Sequence, residues 1–168
     1  MDKDSLSPES FRIAVESAMN HIIITNTDGK ILFANQAVTE NTGFGHNEVI
    51  GNNPRLWGKQ MSKDFYENMW DIIKNKKQPF YGEIINKRKN GQLYTARMVI
   101  SPIIENKQLI GFIGTEDDIT EEINEEKIIH EKMGELEKLN QLMMGRELKM
   151  VELKEQIKDL QLKLQNKG

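Results

Sequence analysis

The chain of 168 residues has no cysteine. That single absence excludes disulfides, thiolate metal ligands and thiol nucleophiles, and it accords with a reducing compartment. Proline is scarce and absent after Pro102, so no ring interrupts a helix in the last third of the chain. No apolar run approaches the roughly 18 residues that span a bilayer, and the polar start "MDKDSLSPES" lacks the apolar centre of a secretion signal. The expectation is a cytoplasmic protein that does not contact a membrane. Cationic charge is not in excess either: the net charge is −3, which argues against nucleic acid as a partner, because phosphate binding relies on clustered Lys and Arg. Also missing are a "GxxxxGK" phosphate loop, "HExxH", paired metal ligands at helical spacing and a nucleophile elbow. The expected protein is therefore not an enzyme and holds no metal.

What is present divides into three parts: a leading segment over 1–9 expected to be flexible, a globular region from Ser10 to Ile119, and a tail over 120–168. In the globular region "HIIITNT" and "KILFAN" flank Asp28-Gly29, a dipeptide suited to a two-residue hairpin turn. Short helical pieces follow from Gln36, then a better helix in "SKDFYENMWDIIKNKK", which opens on Ser62 as a cap. Three further strands read as "FYGEIINKR", "LYTARMVISPIIE" and "LIGFIGTED", turned by Asn90-Gly91 and by "ENKQ". This order predicts an α+β domain with one five-stranded antiparallel sheet and its helices on one face. The isoleucines of "HIIIT" are apolar on both parities, so the outer face of the sheet is expected to be covered as well.

The tail changes composition to Glu, Lys, Leu, Met and Gln, the usage of a long charged helix. Ile129, Leu136, Met143, Met150, Ile157 and Leu164 recur seven apart, with Leu139, Leu153 and Leu160 at the alternate seam position. Such a heptad predicts a coiled coil and a homodimer. Lys132 and Arg146 interrupt the seam, and Gly145 costs about 0.8–1 kcal/mol relative to alanine inside a helix.

In this order the strings "ITNTDGKILFANQAVTENTGF", "EVIGNNPRLW", "YGEIINKRKNGQLY", "ISPI" and "GFIGTEDDIT" resemble the PAS sensory family. The tail resembles the connector that follows such domains in bacterial sensor histidine kinases. The resemblance implies a sheet cradling helices around a small cavity, dimerisation, and transmission to an output domain or kinase. Asp118, Thr120 and Glu121 then form the signal exit. Asp118 followed by Glu121 fits a capping box at the positive end of a helix dipole, and the same residues equally suit an ordinary cap without a switching role.

Strand parity puts Asn86 on the face of Ile84, and Gly114 and Glu116 on the face of Phe112. In flavin-binding relatives a residue matching Asn86 bonds the ring edge and a tryptophan matching Trp70 lies against it. The resemblance thus makes FAD or FMN the leading cofactor candidate, with Thr25, Asn53, Trp70, Asn86, Gly114 and Glu116 as the binding set. Asn and Trp at these positions are equally normal in relatives that bind nothing known. A flavin–cysteine adduct, as in the light-oxygen-voltage subfamily, is excluded: Pro54 stands where the cysteine belongs, Ala96 where a second asparagine belongs and Glu116 in place of glutamine. Haem-binding relatives use a histidine on the long helix, and Ser62 to Lys77 contains none. His21 and His46, in a strand and a helical turn, read as structural, and His130 follows a seam residue as either a phosphoacceptor or an ordinary surface histidine.

The function expected is a non-catalytic sensory module that detects a small ligand or redox state and relays it through a dimeric coiled coil. The alternatives are a ligand-free dimerisation or adaptor protein and the N-terminal fragment of a sensor histidine kinase.

Overall fold

Alternation of apolar and polar residues decides which side of each strand is buried. The computed structural model of the chain describes residues 7–165. Five strands, β1 (His21–Thr25), β2 (Ile31–Ala34), β3 (Phe80–Lys87), β4 (Leu93–Glu105) and β5 (Gln108–Asp118), form one antiparallel sheet in the order β2-β1-β5-β4-β3. The α+β sheet expected from the sequence is the one observed. Its inner face carries His21, Ile23 and Thr25 on β1, Phe112, Gly114 and Glu116 on β5, Tyr94, Ala96 and Met98 on β4, and Phe80, Ile84 and Asn86 on β3. Ile22 and Ile24, on the opposite parity, are half-buried.

The helices cover the inner face: α2 (Gln36–Thr42), α3 (His46–Val49), a 3-10 turn at Pro54–Leu56, and α4 (Lys63–Trp70), which runs on as a π-helical turn over Asp71–Asn75. Ser62 caps α4 as the sequence suggested, its hydroxyl accepting from the Phe65 N–H at 3.2 Å. Two apolar clusters result. One packs Met69 and Ile73 against Phe80, Ile84, Tyr94, Met98 and Phe112, and the other gathers Ile23, Ile31, Val38, Val49 and Trp57. Each fully buried large side chain contributes about 1.5–3 kcal/mol.

Two turns differ from simple expectation. The β1–β2 connection is not the two-residue turn read from Asp28-Gly29, because Asn26 Oδ1 accepts from the N–H groups of both Asp28 and Lys30 and organises a wider loop. The two-residue hairpin geometry occurs instead between β4 and β5, where Asn106 and Lys107 both have positive φ. At the start of the chain, Ser7 caps α1 (Pro8–Glu16), so Pro8 and Glu9 of the leading segment are helical, while 1–6 lie outside the described residues.

The chain divides into two compact units, Met1–Glu121 and Glu122–Gly168. The described residues of the second all belong to α5 (Thr120–Gln165), a helix of 46 residues in all, about 70 Å long at 1.5 Å per residue. Its expected seam residues Ile129, Leu136, Leu139, Met143, Met150, Leu153, Ile157 and Leu160 are all exposed along the helix, whereas the side chain of Leu164 lies outside the described residues. His130 is exposed as well.

Candidate functional site

Between the inner sheet face and α4 lies a cavity of about 100 Å³. Its wall is mostly apolar: Ile23, Ile84, Met98 and Phe112 from the sheet, Met69 and Trp70 from α4. Trp70 meets Phe112 edge-on with ring centroids 5.6 Å apart. Thr25, Asn53, Trp70, Asn86, Gly114 and Glu116, the set expected from the sequence, are all brought together in this wall. Asn53 is fixed by its own amide, which donates to the Gly29 carbonyl at 3.0 Å, and Gly29 can follow this path because it adopts φ of +79°. Gly114 leaves room that a side chain would take, since a Cβ there would stand 3.2 Å from Ile23 Cγ1. Arg55 and Lys59, both exposed, are also among the residues that line it. His46 is not among the residues that line it.

The polar chemistry sits at one end. Asn86 Nδ2 donates to Glu116 Oε2 at 3.0 Å, both residues buried, and Asn86 Oδ1 has no partner. A buried amide oxygen left unpaired costs on the order of 1–3 kcal/mol, which a ligand N–H would recover. Burial pushes the Glu116 carboxyl up to about 7, against the opposing effects of Trp57, Asn86 and Tyr94. The Tyr94 hydroxyl is close enough to bear on Glu116 yet forms no well-shaped hydrogen bond, and burial raises its pKa.

At the exit of β5, burial acts to raise the Asp118 pKa, but hydrogen bonds from Thr120 and the Arg88 guanidinium outweigh it and hold the carboxyl below its ordinary range. Asp118 Oδ1 accepts from Thr120 N–H at 3.0 Å, two residues on, in place of the Asp118–Glu121 capping box that the spacing suggested. Arg88 pairs with Asp118 and donates to the Asn41 carbonyl. Thr120 Oγ1 in turn accepts from Thr95 N–H at 2.9 Å, and Ile119 N–H donates to the Thr95 carbonyl at 2.9 Å. The first residues of α5 are thereby stitched to β4.

Sequence reasoning missed His21, Trp57, Tyr94 and Arg88. For His21 the signal was available: it shares strand parity with Ile23, so an inward Ile23 places the imidazole inside too. The other three depend on contacts between distant segments.

A curled antiparallel sheet that closes helices over a cavity and passes its last strand into a long helix defines a sensory signalling module. Residues 19–121 match the family model for the PAS domain, and the chain belongs to that family. It is 30% identical over 115 residues to a nitrogen fixation regulatory protein of Klebsiella oxytoca, covering 67% of this chain and 23% of the relative. It is 34% identical over 125 residues to a blue-light-activated histidine kinase of Brucella canis, covering 71% of this chain and 25% of the relative. The chain thus spans about a quarter of the length of these curated relatives. Among solved structures, the PAS domain of a Colwellia psychrerythraea protein superposes with a TM-score of 0.61 at 22% identity, over 67% of this chain and 97% of the other. A light-oxygen-voltage domain of a blue-light-activated histidine kinase from Erythrobacter litoralis gives 0.55 at 20% identity, over 60% of this chain and 96% of that one. At these identities the structures speak to the fold.

Among the described residues, no helix is long and apolar enough to cross a membrane and no group of three or more His, Asp or Glu side chains is placed to hold a metal.

Proposed function

We propose that the cavity binds a small planar molecule and that its occupancy is passed through the exit of β5 to α5, which pairs with a second copy of the chain to reach an output domain or kinase. The observation that carries the ligand reading is the unpartnered Asn86 Oδ1, a buried acceptor in a mostly apolar wall. An occupant with an N–H beside an acceptor atom suits Asn86 and Glu116 together.

FAD or FMN is the first candidate. The donor and acceptor set suits the polar edge of a flavin ring, Trp70 offers an aromatic wall, and Arg55 and Lys59 offer cations for a phosphate. The cavity of about 100 Å³ is smaller than the roughly 150 Å³ that takes one benzene ring in an engineered protein core, so a flavin would require its walls to move apart. A bound flavin would supply redox sensing, and the chain's absence of cysteine rules out the thiol adduct. The residues of this chain would orient the ring edge and exclude water.

Transmission is supported by continuity from cavity to exit. Glu116 lies beside Tyr94, the Arg88 guanidinium stands 4.4 Å over the Tyr94 ring, and Arg88 holds Asp118. A ligand shifts the exit only by binding its two arrangements with different affinity. Dimerisation is supported by the exposed heptad seam of α5, which has no apolar cover within its own unit. An absorption spectrum of freshly purified protein tests the flavin assignment. Paired near-ultraviolet and blue bands that bleach on reduction are expected, and a blank spectrum would leave a colourless ligand or the ligand-free adaptor role.

A further inference from the structure

His21 is 1% exposed, both its ring nitrogens lack hydrogen-bond partners, and its Nδ1 lies 3.5 Å from Glu116 Oε2. The two residues are opposed in the β1–β5 register, so the ladder fixes their proximity. Trp57, edge-on to the imidazole at 5.2 Å, closes another side. A polar ring sealed without a partner beside a buried carboxyl is an expensive arrangement unless the two groups share something.

We propose that Glu116 and His21 share one proton at the end of the cavity, with His21 the positioning residue. Held on Glu116, the proton makes that side chain a hydrogen-bond donor toward an occupant; passed to His21 Nδ1, it leaves Glu116 an acceptor. In the transfer the Glu116 O–H bond breaks and an N–H bond forms on His21, so nothing enters or leaves the protein.

Burial drives both groups toward their neutral forms, Glu116 up to about 7 and His21 down to about 3. Between those limits the pair holds a single proton, which burial favours on Glu116, so the form with the proton on His21 Nδ1 is the less populated of the two. The other titratable group found to bear on Glu116 is Tyr94 from β4, itself influenced by Arg88 and Asp118, and Asn86 faces it from β3 as a neutral donor. The pair rests on the ligand-site reading only for its consequence to an occupant.

The test is nuclear magnetic resonance of the whole chain without added ligand, following the Glu116 carboxyl carbon and the His21 ring nitrogens against pH. The His21 Nδ1 signal is expected to move at the same midpoint as the Glu116 carboxyl, and Glu116→Gln to abolish that step. His21→Phe should raise the Glu116 midpoint by about one unit or more, corresponding to a tenfold or greater change in its proton affinity. His21→Gln keeps a polar side chain that cannot take a proton and should behave like His21→Phe. A His21 signal that stays flat while Glu116 titrates would overturn the proposal, as would a Glu116 midpoint in the ordinary carboxylate range or a wild-type midpoint in His21→Gln. The first two outcomes are read on the unmodified chain and need no variant to fold. A colourless protein would remove flavin from the proposed function and leave these titrations fully readable.

Discussion

Arg88 and Asp118 form an ion pair that ties the loop after β3 to the last residue of β5, immediately before α5 begins. Each side chain retains about a fifth of its exposure. The pair is therefore neither a solvated surface contact nor a fully desolvated one, and it contributes more than the usual exposed salt bridge. Because Arg88 also stacks on Tyr94 and donates to the Asn41 carbonyl, one guanidinium joins the core residue Tyr94, α2 and the exit.

Replacing Arg88 by Gln should loosen this junction before it unfolds the domain. The expected cost is about 1–2 kcal/mol after allowance for partial exposure, read from urea unfolding. Amide hydrogen exchange should accelerate at Thr95, Ile119 and Thr120, whose hydrogen bonds hold the start of α5. Unchanged protection there would separate Arg88 from the exit.

The Glu116–His21 pair gives stability an unusual dependence on pH. Glu116 has a folded pKa raised from 4.5 to about 7, so the native state binds more protons and loses stability as pH rises between those values. His21 is lowered from 6.5 to about 3, so the unfolded state binds more protons and stability rises across that window. The two slopes oppose each other between 4.5 and 6.5, and the wild-type chain should show a plateau there. Glu116→Gln removes the falling component, so thermal melts of that variant should rise continuously up to about pH 6.5. A plateau surviving in the variant would contradict the assignment.

Much of the cavity was legible because strands have a period of two. Once Ile84 and Phe112 were placed inward, Asn86, Gly114 and Glu116 followed without further information. His21 obeyed the same rule, yet its importance depended on the register of β1 against β5, a pairing between the ends of the domain that no local pattern encodes. The turn at Asp28-Gly29 was read from backbone preferences alone, whereas the competing side chain of Asn26 decided its shape. At the exit, spacing suggested a cap three residues long, but Asp118 is shared between Thr120 and Arg88, and Arg88 arrives from another hairpin.

Asn86 stands in the cavity wall in two capacities, as donor to Glu116 and as a residue whose buried Oδ1 has no partner. Asn86→Ala removes the donor from a buried carboxyl and should cost about 1–3 kcal/mol in denaturant unfolding. Combined with Glu116→Gln, the loss should be smaller than the sum of the two single changes, since the partners share one bond. Additive losses would mean that the 3.0 Å contact carries no net energy.

The seam of α5 offers a test of the output. Arg146 occupies the position that Leu139 and Leu153 fill one heptad before and after it, and a buried seam charge destabilises a coiled coil while leaving its register adjustable. Arg146→Leu should therefore tighten the dimer, raising the helix melting temperature and shifting the monomer–dimer midpoint to lower concentration in sedimentation equilibrium. Leu139→Asp should do the reverse, because it places a charge where two apolar side chains would meet. If the seam instead faces an output partner and not a second copy, neither change will alter self-association, and both will act only on capture of that partner. The two results assign the exposed stripe from Ile129 to Leu160 to self-pairing or to a different chain.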